Sequence, residues 1–329
     1  MGDNELRVRD IVLTFLENNR GEYISGEKIA SSVGVSRNAV WKAIRQLQAG
    51  GHKIHSSTNK GYCLDNANDV LSKQSIEKHL NTNIFDIEVV KSVSSTNTVL
   101  RQRAEQGEKE GAVLIAEEQT QGRGRMGREF FSPSNTGIYM SILLRPSISA
   151  EKSVMITTCA AVAVAEAIEE VAKKEAKIKW VNDIFCGGRK VCGILTEAAL
   201  AIESGTLAYA VLGIGINVFP PENSFPSEIK NIADSVFENC NMSENPRSIL
   251  IARVLENFWK YYEDIENRPH FEQYKKRSMV LSQPITVISG KDNYEAVATD
   301  LDENFNLKIT LPSGEIRSLN SGEVSIRKR

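Results

Sequence analysis

The most constraining feature of this sequence is the stretch Gln119–Arg128 (QTQGRGRMGR), in which three glycines and three arginines occupy seven consecutive residues. Ordering a glycine costs more backbone entropy than ordering any other residue, and arginines this close repel one another. Such a loop becomes favourable when an anion lies against it, held by backbone N–H and guanidinium groups. The preceding segment, Ala112–Ala116, predicts a buried strand, so we expect this arginine loop (residues 119–128) to leave the edge of a sheet.

The glycine spacing of the arginine loop has to be compared with the common nucleotide-binding motifs. Gly122, Gly124 and Gly127 match G-x-G-x-x-G, but a dinucleotide-binding fold needs a helix to begin within that motif. The following segment, Arg128–Pro133 (REFFSP), predicts no helix, and the Gly-Lys-Ser/Thr of a Walker loop is missing. The partner motifs of a protein kinase are missing as well. The sequence therefore predicts an anion-binding loop outside these folds.

Composition restricts the class of protein. The chain has 329 residues, of which 41% are hydrophobic and 25% charged, and its net charge is −2, so we expect a soluble cytoplasmic protein of two or three domains. The cysteines form no C-x-x-C pair and the histidines form no ligand pattern with them, which predicts a reducing compartment and no structural zinc site. No signal peptide is visible, and the candidate membrane segment, residues 153–165, is too short to span a bilayer.

Residues 1–65 predict a winged helix-turn-helix DNA-binding domain. Helices are expected over Leu6–Asn18, over Gly26–Val33 after a capping Ser25, and from Ser36 to Gln48. Two short strands, His52–Ser56 and Gly61–Leu64, then surround a basic tip.

The third of these helices has one apolar and one basic face. Six Lys or Arg and no acidic residue occur from Lys28 to Leu64, so we expect this face to contact DNA phosphates, with Arg37 and Asn38 reaching base edges. The side chains predicted to contact DNA are Arg37, Asn38, Trp41, Lys42, Arg45 and Lys60. The alternatives are a solvated basic face or a surface for protein contacts, and Trp41 could instead pack under the wing.

A polar linker is expected over Asp65–Lys73, and one mixed α/β domain from Ser75 to about Met279; with the linker included, this domain is assigned to residues 66–279. Asp86–Val93 reads as a strand, and the hydroxyl groups of Ser94–Asn97 then either cap a helix or hold the polar end of a ligand; from the sequence alone capping is favoured. An Ala-rich helix is expected over Ser153–Ala172. Tyr209–Val218 predicts a buried strand in which two glycines indicate that another group packs against the backbone.

A second motif occupies Lys177–Leu195, where Gly187-Gly188 predicts a two-residue hairpin turn. Lys190 follows on the returning strand, between buried-looking neighbours; it is either a surface lysine or a group that neutralises a carboxylate or phosphate. Asp183 either holds Mg²⁺ or orders the turn. Residues 219–230, which contain three prolines, are either a lid or a plain connection. From Leu281 onwards the alternation predicts a small antiparallel barrel, to which we assign no chemistry.

The motifs occur in one order behind the winged helix: the arginine loop, Lys-Trp-x-Asn-Asp at 179–183, and Gly-Arg-Lys-x-x-Gly-Ile-Leu at 188–195. Together they resemble the biotin protein ligases, and most of all the bifunctional branch that also represses the biotin operon. The resemblance covers nearly the whole chain. It implies an α+β protein with a winged helix-turn-helix at 1–65, a class II aminoacyl-tRNA synthetase-like mixed sheet with helices at 66–279, and an SH3-like β-barrel at 280–329.

The resemblance also implies a reaction. Biotin would react with Mg²⁺-ATP to give biotinyl-5′-AMP and pyrophosphate, and a lysine of the biotin carboxyl carrier protein would then take the biotinyl group. The adenylate would act as co-repressor, favouring a homodimer that binds a two-fold symmetric operator.

The family's site residues are carried over by position. Biotin is expected to contact Ser95, Thr96, Asn97, Gln119, Arg123, Gly124, Arg125, Lys190 and Gly193. ATP is expected to contact Arg123, Arg125, Arg128, Asn182, Asp183, Lys190 and Asn217. Lys190, Arg125 and Asp183 are the expected catalytic residues, and Asp183 is the expected Mg²⁺ ligand. Ser94, Met126 and Val181 depart from residues that are common in the family.

Three alternatives keep part of this function. A catalytically silent biotin-sensing repressor is disfavoured by the intact arginine loop and Lys190. A ligase with a non-DNA-binding N-terminal domain is disfavoured by the acid-free stretch from Lys28 to Leu64. Lipoate or octanoyl transfer on a related fold is disfavoured by the winged helix and the arginine loop together.

Overall fold

The computed structural model describes residues 3–201, 203, 205–239, 245–289 and 292–326. The chain divides into two compact units. The first comprises the residues up to Asn81 together with a later segment that ends at Ala252, and the second comprises Thr82–Glu238 and the chain from Arg253 onwards.

The first unit contains the winged helix. Its elements are α1 (Asp3–Asn18), α2 (Gly26–Val33), α3 (Arg37–Ala49), β1 (Ile54–Ser57) and β2 (Gly61–Leu64), the last two forming an antiparallel pair. The predicted caps are confirmed, because Ser25 Oγ accepts from the Lys28 amide and Ser36 Oγ accepts from the Ala39 amide. The predicted apolar face of α3 is also confirmed, since Val40, Ala43, Ile44 and Leu47 are buried.

The segment after the wing is packed rather than a free linker. Arg20 donates to the carbonyl groups of Asn66 and Asn68. The short helix α4 (Lys73–Glu77) follows, and Ser75 Oγ lies 2.9 Å from Ser248 Oγ. The domain boundary at residue 65 stays a prediction, but the chain that follows it belongs to the same compact unit as the wing.

The second unit is built on a seven-stranded mixed sheet. Its strands are β3 (Asp86–Val93), β4 (Ala112–Gln119), β5 (Gly137–Leu144), β6 (Lys177–Lys179), β7 (Asp183–Cys186), β8 (Arg189–Ala201) and β9 (Thr206–Asn217). The strand order is β3-β4-β5-β9-β8-β7-β6, in which only β3 and β4 pair in parallel. Gly187 and Gly188 both have positive φ, which confirms the predicted two-residue turn between β7 and β8.

Helices cover the sheet. On one face α5 (Thr96–Glu105) buries Leu100 and Ala104 against Leu114, Leu143 and Val211. The buried helix α6 (Val154–Ala172) packs on β8, where Thr157 and Thr196 are hydrogen-bonded at 2.7 Å. Two further helices are α7 (Pro246–Tyr262) and α8 (Phe271–Arg277). No helix of the described chain is both long and apolar enough to cross a membrane.

The C-terminal strands form an antiparallel sheet of five: β10 (Pro284–Ser289), β11 (Asp292–Leu301), β12 (Leu307–Thr310), β13 (Ile316–Leu319) and β14 (Glu323–Ile326). The predicted antiparallel character is confirmed. Phe305 anchors this sheet, because its ring stacks on His270 and meets Tyr274 edge-on. The Phe305 carbonyl accepts a 2.9 Å hydrogen bond from Trp180 Nε1, so the C-terminal sheet also supports the segment that leads into β7.

Candidate ligand-binding site

The register of the large sheet brings distant residues into one row. Cross-strand partners in an antiparallel sheet point to the same face. The row that crosses the sheet from β6 to β4 consists of Lys179, Asp183, Gly193, Gly215, Tyr139 and Ala116. It therefore has charged side chains at one end and two glycines in the middle, where the backbone can be approached closely.

A pocket of about 210 Å³ opens over this row. Four cationic side chains line it: Arg125, Arg128, Lys179 and Lys190. Its apolar wall consists of Met126, Phe130, Phe131, Trp180, Ile194, Phe225, Ile229, Ile232 and Ala233. An aromatic wall beside clustered positive charge suits a ligand that has a flat ring and an anionic group.

The arginine loop forms one rim of the pocket. It leaves β4 and makes a single 3₁₀ turn at Arg125–Gly127, and none of residues 119–136, all of which the structure describes, belongs to an α-helix. The exclusion of a dinucleotide-binding fold is therefore confirmed. Met126, at the tip, has a φ of 55° and is 68% exposed while it borders the pocket.

Two arginines of the loop are held by polar partners around the pocket. Arg125 donates to Asn182 Oδ1 at 2.8 Å and to the Gly322 carbonyl at 3.3 Å. Arg128 binds both carboxylate oxygens of Glu323, at 3.0 and 2.6 Å, and this carboxylate raises the pKa of Arg128. The C-terminal segment, to which the sequence assigned no chemistry, therefore supplies part of the pocket through β14 and the residue before it.

Lys190 and Asp183 form an ion pair on the pocket floor, with Nζ 2.7 Å from Oδ1. Their side chains are 28% and 21% exposed, so Lys190 is not an ordinary surface lysine. The Lys190 backbone is fixed by the returning end of the Pro-rich segment, since its amide donates to Ile232 and its carbonyl accepts from Asp234. Within the described chain, Asp183 Oδ1 accepts no hydrogen bond of good geometry.

Lys179 is a pocket cation that the sequence did not single out. It faces Asp183 across the β6–β7 pair, and burial lowers the pKa of its ammonium, although Asp183 and Glu323 act in the opposite direction. A partly desolvated cation binds an anion more strongly than a solvated one, because less hydration is lost on contact.

A cluster of uncharged polar side chains lies next to the pocket. Gln119 Oε1 accepts from the Thr96 amide at 2.9 Å and from Thr96 Oγ1 at 3.1 Å. Ser141 donates to Asn97 Oδ1 at 2.6 Å. Ser95 is the N-cap residue of α5, yet within the described chain its side chain makes no capping bond and is 3% exposed. The expectation that the hydroxyl groups here serve mainly as helix caps is therefore wrong for Ser95.

The two glycines predicted on β9 are needed for close approach. A Cβ on Gly213 would lie 2.2 Å from Asn97 Oδ1, and one on Gly215 would lie 2.5 Å from the Phe130 ring. These positions alternate along the same face of the strand, followed by Asn217 at the pocket. Phe130 thus lies between the polar cluster and the pocket.

The residues expected to form the site are brought together. Lining the pocket are Gly124, Arg125, Arg128, Asn182, Asp183, Lys190, Gly193 and Asn217. Ser95, Thr96, Asn97 and Gln119 form the adjoining cluster. Among the described residues Arg123 is outside the pocket lining and pairs instead with Glu197 at 3.0 Å.

Sequence reasoning missed Phe130, Phe131 and Phe225, together with Lys179, Glu197 and Glu323. The two adjacent phenylalanines in a polar loop were a usable signal for an aromatic wall. No comparable sequence signal marks Glu197 or Glu323, because the role of each follows from its contact with an arginine that is distant in the sequence.

The Pro-rich segment forms a loop with a fixed base. Asn217 Nδ2 donates to the Asp234 carbonyl, and the backbone carbonyl of Asn217 accepts from the Val236 amide. Phe225, in the loop, meets Phe131 edge-on at 6.4 Å between ring centroids. This contact favours the lid interpretation over that of a plain connection.

The predicted DNA-contacting residues all lie on the exposed surface of the first unit. All six (Arg37, Asn38, Trp41, Lys42, Arg45 and Lys60) are exposed. Arg37, Asn38 and Trp41 border a groove whose other wall is the wing tip, residues 56–59. Trp41 is 52% exposed, so it is not packed away under the wing. Glu27, one residue before the acid-free stretch, lies 3.4 Å from Arg37.

The four cysteines of the described chain are buried and free, and burial raises the pKa of the Cys192 thiol far above its usual range. Cys240 lies outside the described residues. In the part of the chain that is described, no three His, Cys, Asp or Glu side chains group as metal ligands.

Comparison with known proteins gives a consistent result. Residues 89–217 match the biotin/lipoate A/B protein ligase family, residues 7–63 match a helix-turn-helix domain, and residues 280–327 match the biotin protein ligase C-terminal domain. The biotin protein ligase from Aquifex aeolicus, solved in complex with biotin and ATP, is similar with a TM-score of 0.59 at 27% identity, covering 74% of this chain and 99% of that one.

Two curated relatives extend the comparison. The chain is 28% identical over 337 aligned residues to the bifunctional ligase/repressor BirA of Escherichia coli, covering 99% of each chain. It is 38% identical over 245 residues to the bifunctional ligase/repressor BirA of Bacillus subtilis, covering 74% of each. With three matching domains in the same order, this identity shows that the chain belongs to the family of bifunctional biotin–protein ligases and transcriptional repressors.

Proposed function

We propose that the pocket and the polar cluster of the second unit together carry out both half-reactions of biotin–protein ligation. The observation that supports this most directly is their arrangement on one sheet face. Uncharged hydrogen-bonding groups lie at one end, two glycines and Phe130 in the middle, and four cations at the other. Biotin has the same order of parts: an uncharged ureido ring, an apolar chain and a carboxylate.

In this proposal biotin lies along β9. Its ureido group bonds to Ser95, Thr96, Asn97 and Gln119, and its chain crosses Gly215 beside Phe130. Gly193 lets the chain lie close to β8, and the carboxylate reaches Lys190. The length fits, because residues 213 to 217 of a strand span roughly 13 Å.

ATP takes the remaining part of the pocket. Its base lies against the aromatic wall of Phe131, Trp180 and Phe225, and its phosphates meet Arg125, Arg128 and Lys179. Asn182 and Asn217 supply uncharged polar contacts at the edge, and Gly124 lets the arginine loop approach the phosphates.

The first half-reaction needs positioning and charge neutralisation. A biotin carboxylate oxygen attacks the α-phosphorus, the bond to the bridging oxygen of the β-phosphate breaks, and pyrophosphate leaves. Lys190 and Arg125 neutralise charge on the carboxylate and the α-phosphate as the two anions approach. No protein nucleophile is required.

In the second half-reaction the amine of a lysine on the biotin carboxyl carrier protein attacks the acyl carbon of biotinyl-5′-AMP, and AMP leaves. Until then the adenylate has to be protected from water. The arginine loop and the Pro-rich loop border the pocket on two sides, so ordering both over the adenylate excludes solvent.

Mg²⁺ fits the pocket as a companion of the nucleotide. Asp183 is the residue that would hold it, because its buried Oδ1 is in ionic contact with Lys190 but, within the described chain, accepts no well-aligned hydrogen bond. Mg²⁺ in such sites is bound by one or two carboxylates and by substrate phosphates, and it screens the phosphate charge. A dedicated cage of protein ligands is not needed.

The repressor half of the function is assigned to the exposed basic surface of α3 and the wing. We expect Lys42, Arg45 and Lys60 to contact phosphates, while Arg37 and Asn38 reach base edges and Trp41 supplies apolar contact. One such surface per chain requires two chains for a two-fold symmetric operator, which is the reason for proposing a liganded homodimer.

Biotin-dependent exchange of pyrophosphate into ATP tests the enzymatic half. The wild-type chain should catalyse exchange with biotin and far less with lipoate. Lys190→Ala should reduce the rate by about 100- to 1,000-fold, because a preorganised charge at the transferring group is lost. Folded wild-type protein that binds biotin without exchange would favour the sensor-only repressor.

A further inference from the structure

Glu197, on β8, is a charged side chain that the two half-reactions do not use. Its Oε1 lies 3.0 Å from Arg123 Nη1, and its Oε2 accepts a 3.0 Å hydrogen bond from Asn97 Nδ2. The side chain is 21% exposed, compared with 44% for Arg123. One carboxylate therefore joins the arginine loop to the polar cluster.

The position of Glu197 follows from strand alternation. Gly193, Leu195 and Glu197 point to the same face of β8. Gly193 lines the pocket, and the Leu195 carbonyl accepts from Asn97 Nδ2 at 3.3 Å. Glu197 is thus at the end of the polar cluster that is farthest from the pocket.

Glu197, together with the Leu195 carbonyl, fixes which way the Asn97 amide faces. An ionised carboxylate can only accept hydrogen bonds, so the amide must present its NH₂ group to Glu197. Its Oδ1 is then directed to Ser141, which donates at 2.6 Å.

We propose that Glu197 is a positioning residue with two separate roles: it latches the arginine loop over the polar cluster through Arg123, and it orients Asn97. This inference rests on the proposed function, in which that cluster holds the neutral head of biotin. It changes the expected role of Arg123 from a phosphate contact to a loop latch, and Arg125 and Arg128 supply the anion-binding charge of the loop.

The first test needs no ligand. Trypsin cleaves after the arginines of the loop, and Glu197→Gln leaves all of them in place. Releasing the latch should increase the cleavage rate within residues 123–128 by roughly 2- to 5-fold, the range for a partly exposed ion pair. Arg103→Gln, which removes a similar ion pair with Glu88, is the control and should leave the rate unchanged. An unchanged rate in Glu197→Gln would overturn the latch, whether or not the chain ligates biotin.

The second test separates the two roles by exchanging the charges, Arg123→Glu with Glu197→Arg. The swapped pair can reform the latch, so loop cleavage should return to near the wild-type rate. An arginine cannot accept from Asn97, so the KM for biotin in pyrophosphate exchange should stay raised by roughly 10-fold. Recovery of both properties would refute the orienting role, and recovery of neither would refute the latch.

Nucleotide binding provides the remaining comparison. The KM for ATP should stay within about 2-fold of wild type in Glu197→Gln and in Arg123→Gln. The KM for ATP of the double variant should be no higher than that of either single variant. A raised KM for ATP in Arg123→Gln alone would indicate that Arg123 contacts the phosphates of ATP. Absence of exchange in the wild-type chain would reject the proposed function instead, while the cleavage test would still decide the latch.

Discussion

At the scale of single residues, Gly215 has the most demanding environment in the site. An alanine Cβ there would lie 2.5 Å from the Phe130 ring, closer than such atoms approach in proteins. We expect Gly215→Ala to lower the free energy of unfolding by about 1–3 kcal/mol and to impair biotin-dependent exchange, since the ring has to move. Thermal unfolding and exchange assays would measure both effects.

Two further variants test whether the Phe130 ring is the reason that residue 215 has to be glycine. At Gly193 the new Cβ would lie 3.3 Å from the flexible end of Lys190 and from the Phe130 ring, so Gly193→Ala should destabilise the protein less than Gly215→Ala. Adding Phe130→Leu to Gly215→Ala should recover part of the lost stability. Simple additivity of the two effects would mean that the ring is not what Gly215 accommodates.

His270 predicts how stability depends on pH. It is fully buried, stacks on Phe305 and bonds to Thr158, and burial lowers its pKa to about 3. Below pH 6.5 the unfolded chain binds a proton that the folded chain does not, so stability falls as the pH falls towards 3. Between pH 7 and pH 5 the cost is about 2 kcal/mol.

The measurement is urea unfolding of wild type and His270→Leu at both pH values. Thr158 keeps a partner in the variant, because its Oγ1 also donates to the Met155 carbonyl. His52, whose pKa is lowered to about 4, contributes equally to both proteins. The acid-induced loss should therefore be about 2 kcal/mol larger in wild type; equal losses would show that His270 is already solvated or charged in the folded state.

At the scale of elements, β14 connects the C-terminal sheet to the arginine loop through the Arg128–Glu323 pair. Arg128 is 66% exposed, so we expect Glu323→Gln to change stability little. The loop would lose an anchor beside the phosphates, and the KM for ATP should rise by roughly 3- to 10-fold.

Glu315→Gln is the matched control, because Glu315 pairs with Arg317 on the same C-terminal sheet, among residues that do not line the pocket. Both variants should fold as well as wild type. A KM for ATP that is unchanged or lowered in Glu323→Gln would mean that the carboxylate does not support nucleotide binding.

The elements themselves were largely predictable, because their signals are local. Ser25 and Ser36 mark helix starts, and Gly187-Gly188 fixes the turn between β7 and β8. The place of Arg125, Arg128 and Lys190 in the pocket was also predictable, because clustered positive charge beside glycine is unfavourable unless it serves a ligand. The sequence does not predict the ion pairs that depend on tertiary structure, which are those of Arg123 with Glu197 and of Arg128 with Glu323.

At the scale of the whole molecule, we propose that adenylation and repression are linked through assembly. The first unit offers one exposed basic surface, and the proposed two-fold symmetric operator would present two half-sites, so tight binding would require two chains. A ligand can favour the dimer only if it binds the dimer more tightly than the monomer. Biotinyl-5′-AMP is the proposed ligand, because forming it orders the loops around the pocket.

Equilibrium sedimentation with and without biotin and ATP measures this link. We expect the mass to shift towards twice that of the single chain when both ligands are present, and operator affinity to rise with it. Arg37→Ala should keep the ligand-dependent mass and the ligase activity but weaken operator binding by roughly 10-fold or more, since a base-reading side chain is lost. A mass that is the same with and without ligands would reject ligand-driven dimerisation, and operator affinity that still rose with the ligands would then require another route from the pocket to the DNA surface.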